Sequence, residues 1–313
     1  MEFTGGKQTA QFNYDYPLSP WANSMYSLFA NRNYLKEYEK TFFKTEYDQT
    51  IIPGMGFSIS GEYAKRERLV NHTDLVILDD KDLIYTSNDP ENIVGGANVF
   101  DNHTAFVTDA TMWFKPFWEY KVSRGTKRKD YSRSPVLKLG YRKGWGEENH
   151  PFDLVSANFT HKLGVGAGSV LSLNVSAGKF IGDNKPVYFH DFAHFQGNRL
   201  VATPLDPVSS FRMLDYYLYS TNDEYASGLF NYQFRRFALT QFDFFRKQGI
   251  RENIILNTLL TPQSNQYAEI GYGINYIFRI LRIEFVSSWQ DYKYQDFAVR
   301  FGIATDFQSI FGF

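Results

Sequence analysis

The chain has 313 residues, with 33 Lys and Arg against 34 Asp and Glu, so no net field draws it to nucleic acid. It holds no cysteine, which excludes a disulfide framework and a thiolate zinc site. Aromatic residues make up 18% of it, and its mean hydropathy of −0.39 comes without any run of roughly 18–20 apolar residues. Membrane-spanning helices are thereby excluded, but a transmembrane β-barrel, whose strands alternate lipid-facing and water-facing residues, is not.

A first strand is predicted near 5–16. A helix then spans 20–40: Ser19 suits the N-cap, Pro20 the first helical position, and Trp21, Met25, Leu28 and Leu35 recur at helical spacing. It reads as a packing helix or, second, as one that binds a partner or gates the lumen. Strands at 42–52 and 55–71 flank a tight Pro53-Gly54 turn. After a long polar connection at 72–103, a strand at 104–122 sets Phe106, Met112, Phe114, Trp118 and Tyr120 against Asp109, Thr111, Lys115 and Glu119. The basic run at 124–133 is a solvated turn, or one drawn to anionic headgroups or an acidic partner.

Strands at 135–146, 152–163 and 168–181 come next, the last two joined by a short link around 164–168. A second long connection, 183–221, precedes strands at 224–237, 251–261, 267–276 and 279–290. The last strand is clearest: Phe297, Val299, Phe301, Ile303 and Phe307 fall on one face, and Ala298, Arg300, Gly302, Ala304 and Asp306 on the other. The chain closes on an aromatic, Phe313. The expected fold is all-β, an antiparallel transmembrane barrel of about twelve strands forming one domain over 1–313. Lys115, Glu119, Arg235, Arg282, Glu284 and Arg300 are expected to face a wet lumen. Short turns would lie on the periplasmic side and long loops outside. Counting strands from both ends puts 72–103 and 183–221 on the same outer side only if 211–219 does not span. That stretch is therefore placed within the loop, folded back into the lumen.

The sequence YFHDFAHFQGNR at 188–199 has the skeleton of a zinc-protease helix, His190-Asp191-x-x-His194. Asp replaces the needed Glu, Pro186 and Gly197 bracket the stretch, and aromatics fill the gaps. The reading is a structural lumen loop built on His190, Asp191, His194, Gly197, Asn198 and Arg199. Gly197-Asn198 would supply a tight turn, since both residues tolerate positive φ, and Arg199 would anchor the loop on a wall carboxylate. No catalytic, metal or cofactor site is assigned. His72 and His103, with Ser87 and Asp101 in reach, give a weaker reading as a rim hydrolase.

The segments TGGKQTAQFNYDYPLSPWANSMYSLFANRNYLKEYEK, FHDFAHFQGNR, FRMLDYYLYSTNDEYASGLFNYQF and YAEIGYGINYIFRILRIEF together resemble the C-terminal half of a Bacteroidota outer-membrane family of unknown function. In that family the barrel usually comes after a carboxypeptidase-regulatory-like domain. The barrel is also similar to the BamA-like assembly-factor superfamily of surface antigens, whose barrels have sixteen strands. The resemblance implies the last twelve of those strands, with the first strands, any periplasmic domain and the signal peptide missing here. It departs from that superfamily in one motif: Gly197-Asn198-Arg199 stands where an Arg-Gly-aromatic motif is expected. The expected function is that of a non-enzymatic outer-membrane protein of assembly or translocation type, with a passive pore or solute transporter as the alternative. Its partners would be outer-membrane lipid, lipopolysaccharide, and periplasmic or outer-membrane proteins.

Overall fold

The computed structural model describes residues 1–15, 18–30, 32–70, 77, 87–90, 101–123, 125–146, 151–166, 168–183, 185–198, 200–203 and 206–304. Its elements, in chain order, are β1 (Glu2–Gln11), α1 (Pro20–Ala30), β2 (Glu37–Ile52), β3 (Met55–Arg68), β4 (His103–Phe114), β5 (Glu119–Ser123), β6 (Thr126–Asp130), β7 (Val136–Trp145), β8 (Phe152–Val165) and β9 (Ser169–Ile181). Beyond these come β10 (Ala202–Thr203), β11 (Glu224–Phe234), α2 (Asp243–Lys247), β12 (Arg251–Leu260), β13 (Tyr267–Ile277), β14 (Leu281–Gln290) and β15 (Lys293–Ile303). Twelve long strands pair antiparallel in the order β1-β2-β3-β4-β7-β8-β9-β11-β12-β13-β14-β15. The short β10 adds to β15 in parallel. Among the described residues β1 and β15 do not pair with each other, so the sheet is not closed.

The alternation predicts the faces well. On β14 and its near neighbour β12, Phe285 and Leu256 are 37% and 43% exposed, while the adjacent Glu284 and Asn257 are 0%. One face of the sheet is thus apolar and open; the other is polar and covered. The cover is the connection between β9 and β11. Its residues touch β2 through Tyr38, β3 through Arg66, β9 through Asn174, and β14 and β15 through Glu284 and Arg300. Twelve strands at about 4.8 Å spacing would be roughly 50 Å wide if flat. His190 bonds β3 and the Leu200 carbonyl bonds β15, and ten residues extend at most about 35 Å, short of the roughly 43 Å between those strands in a flat sheet, so the sheet curls around the loop.

Two elements differ from expectation. The helix stops at Ala30, and residues 37–40 open β2, with Glu37 opposite Gln11. Asn23 makes the reversal: its Oδ1 accepts the Tyr34 and Leu35 amides at 2.8 and 2.9 Å, and its amide donates to Asn33. The strand expected at 104–122 ends at Phe114. Pro116 cannot donate to a ladder, and the chain leaves the wall to form the β5–β6 hairpin, a separate two-stranded sheet. The stretch 211–219 is not a strand, as the strand count required.

Candidate functional site

The covering segment, 185–222, is called the plug for its position over the inner face. Its described residues hold one 3-10 turn, Phe189–Asp191, the short β10, and an isolated bridge between Ala193 and Thr221. The backbone turns extended at Phe192 (φ −68, ψ 162), so His190 and His194 do not share a helical face. No group of three His, Asp or Glu lies within metal-ligating reach among the described residues.

Its first anchor is built on the adjacent pair His190 and Asp191, both buried. Arg66 of β3 bonds Nε2 of His190 and both oxygens of Asp191, at 3.2 and 3.1 Å. A guanidinium can only donate, so Nε2 accepts and the ring is neutral. Burial pushes the His190 pKa down to about 4; Asp191 opposes this shift and Arg66 adds to it. Burial would raise the Asp191 carboxyl, but Arg66, with Arg142 behind it, holds it well below the usual carboxylate range. Arg142 of β7 lies 3.8 Å from Asp191 and stacks 3.9 Å over the ring of Tyr14, whose hydroxyl donates to Asp191. Phe12, Tyr38 and Tyr188 ring His190. His194 faces Ser220 at 2.8 Å, and burial takes its pKa to about 3.

The second anchor is Arg212. Its Nε donates to Glu284 of β14 at 2.7 Å, and its other nitrogens to the carbonyls of Ser210 and Pro207. The backbone amides of Arg212, Met213 and Leu214 all point at Glu269 of β13, at 2.7, 2.7 and 3.0 Å. Tyr267 and Asn257 complete the shell of that carboxylate. Successive amides turned on one anion make a nest, here formed by the plug around a wall residue. Behind Glu284, Arg282 donates to Asn275, which donates to Asn253, which donates to Asn231, so a polar chain crosses four strands on the inner face.

The predicted site residues divide accordingly. Arg282, Glu284 and Arg300 lie on the covered face, Arg300 donating to the Leu200 carbonyl at 2.6 Å. Glu119 does not line it: it sits on the exposed β5–β6 hairpin, paired with Arg133 at 3.2 Å. Arg235 is exposed one residue past β11, and Lys115 keeps its inward parity but lies past the end of β4, at the rim. Neither Gly197 nor Asn198 takes positive φ. Gly197 is glycine because a Cβ there would come within 2.6 Å of the Leu214 carbonyl. His103 stacks on Tyr188, 4.1 Å between ring centres, and its Nδ1 meets the Asp101 backbone carbonyl at 2.6 Å. Arg199, His72, Asp306, Phe307 and Phe313 lie outside the described residues. Among the described residues of the plug, Arg212 is the arginine that meets a wall carboxylate. Sequence reasoning missed Arg66, Arg142 and Glu269, although each is a charge at an inward strand position, the criterion that selected Glu284.

Beneath the plug, toward the short turns, a cavity of about 1060 Å³ remains. Lys138, Asn158, Ser172, Asn174 and Ser176 line its wall, and Phe195 lies on its plug side.

The family model described as "Family of unknown function (DUF5686) C-terminal domain" matches residues 1–274, and the chain belongs to that family. Comparison with curated proteins gives no match.

Proposed function

We propose that this member of the DUF5686 C-terminal family is a non-enzymatic outer-membrane protein of assembly or translocation type, its strands crossing the bilayer as a curled wall around a lumen plug. The observation that carries the reading is the inversion of the sheet: Ile59, Leu256 and Phe285 lie exposed, while Glu269, Glu284 and Arg212 are buried against the plug. A water-soluble sheet protein would bury the first set. In a bilayer the apolar face meets hydrocarbon, and curling limits the open edge that lipid cannot satisfy. Localisation in a Gram-negative outer membrane, with lipopolysaccharide and periplasmic or outer-membrane proteins as partners, is part of the same reading.

The likeness to BamA-like surface antigens supplies the mechanism. There a sixteen-stranded wall opens between first and last strands, and a loop dipping into the lumen steadies it. Here β1 and β15 are unpaired with each other, and the plug bonds to β3 toward one margin of the sheet and to β15 at the other. A pore or solute transporter is the second reading, favoured by the polar cavity under the plug.

With no native cysteine, single cysteines carrying a polarity-sensitive dye test the first reading cleanly. Dyes at Ile59 and Leu256 should emit as in hydrocarbon and be quenched by brominated lipid; a dye at Lys138 should not. Equal water-like emission at all three would refute a bilayer-spanning wall. In planar bilayers a plugged assembly barrel gives little steady current, and a pore gives stable conductance.

A further inference from the structure

The two ends of the sheet differ in charge. Connections on the short-turn side (53–54, 115–135, 166–168, 235–250 and 278–280) carry twelve Lys and Arg against three Asp and Glu. Those at the other end (12–36, 69–102, 146–151, 182–223, 261–266 and 291–292) carry six against sixteen. A net charge near zero for the whole chain conceals this polarity.

Two of the basic connections also display aromatic rings. On the β5–β6 hairpin, Tyr120 pairs with Lys129 and Val122 with Lys127, so these four share one face. The Lys127 ammonium lies 4.0 Å over the Tyr120 ring, and that of Lys129 lies 4.2 Å over Trp118. Tyr131 ties the hairpin base to the β2–β3 turn by donating to the Pro53 carbonyl at 2.9 Å. There the apolar outer face continues through the exposed Ile51, Ile52 and Phe114. The second element is the β11–β12 connection. Glu252 has the outward parity of Ile254 and Leu256, yet it is fully buried. Its carboxylate accepts the amides of Ala238, Leu239 and Thr240, the Thr240 hydroxyl at 2.5 Å, and the Tyr272 hydroxyl. That clamp folds the connection over the outer face, leaving Phe242 and Phe244 exposed beside Arg246 and Lys247.

We propose that this rim binds the anionic phospholipid headgroups of the leaflet it faces, with Trp118, Tyr120, Phe242 and Phe244 at the headgroup level and the lysines and arginines on phosphate. The proposal rests on the bilayer-spanning reading. Rings that sit at the interface and cations that reach from it to phosphate are the combination such a surface selects. Each lysine near an anionic surface strengthens attachment about fivefold.

The test uses the full chain in vesicles with brominated acyl chains, either neutral or containing phosphatidylglycerol. Trp118 is read as the difference between wild type and Trp118→Phe, and Trp145, on the outer face of β7, likewise with Trp145→Phe. Trp118 should be quenched in anionic vesicles, and Lys127→Gln with Lys129→Gln should lower the docked-to-free ratio about 25-fold, as should high salt. Quenching of Trp118 that ignores lipid charge and both substitutions would overturn headgroup recognition. Quenching of Trp145 without Trp118 would place the hairpin off the bilayer, as an acidic protein partner requires, and would also overturn it. Quenching of neither would overturn the bilayer-spanning reading itself, and this proposal with it.

Discussion

The two anchors of the plug solve one problem with opposite polarity. At the first, the wall supplies the cations, Arg66 and Arg142, and the plug the carboxylate, Asp191. At the second, the plug supplies Arg212 and the wall the carboxylates, Glu269 and Glu284. A plug shifted along the wall would bring like charges together at one end or strand an ion at the other. Buried ion pairs contribute little net stability but strongly penalise a missing partner, so the reversed pair specifies position more than it adds stability. The anchors also differ in redundancy. Arg66 and Arg142 retain His190, Tyr14 and Asp109 when Asp191 is altered. Among the described residues, Glu284 would keep Arg282 alone, at 3.8 Å, once Arg212 is altered.

That difference orders the expected effects. Arg212→Ala should be the most damaging, costing about 3–5 kcal/mol in urea unfolding from lipid vesicles, and it should raise single-channel current by unseating the plug. Arg212→Met combined with Glu284→Gln should recover much of this loss; no recovery would mean that the amide nest on Glu269, not the ion pair, holds that end. Asp191→Asn keeps an acceptor in place and should cost less, about 2–3 kcal/mol.

Acid should act on the first anchor before the second. His190 and His194 have folded pKa values of about 4 and 3, below the roughly 6.5 of an unfolded histidine. The unfolded chain therefore binds protons first. The stability they contribute is complete above pH 6.5 and is lost as pH falls, on the order of 3 kcal/mol per ring by pH 4. The depressed Asp191 carboxyl adds its loss only below the ordinary range near 4. Proteolysis within 185–222 should accelerate between pH 6 and 4, and His194→Gln should flatten that rise. At the bottom of the scale, Lys179→Ala breaks an ion pair to Glu224 in which both side chains are more than half exposed. Its urea unfolding midpoint should stay where it is in the wild type.

The strands were legible because a period of two survives any register: Phe285 and Glu284 declare their faces whatever they pair with. Pro116 also announced the end of β4, but the aromatics Trp118 and Tyr120 kept the parity and disguised the break. The sequence extends the helix too far because Leu35 continues the helical spacing of Trp21, Met25 and Leu28, although the chain has already turned at Asn33 toward β2. The anchors were half legible. Glu284 was chosen as an inward charge, but its partner lies 72 residues away on a segment with no period. Nothing local marks Arg212 as the partner of a wall carboxylate; that depends on the path of the loop, which is set by contacts such as Gly197 under the Leu214 carbonyl.

Within the plug, Tyr217 and Tyr219 hold φ values of 64 and 61. A left-handed tyrosine costs about 1–2 kcal/mol relative to the ordinary helical region. Both are therefore wound against their own preference, and Tyr217 stays so through its ring contacts with Phe12, Phe189 and His194. The rings and the backbone therefore pull in opposite directions at this one turn: removing the Tyr217 ring would delete the packing and leave the unfavourable winding with nothing to hold it.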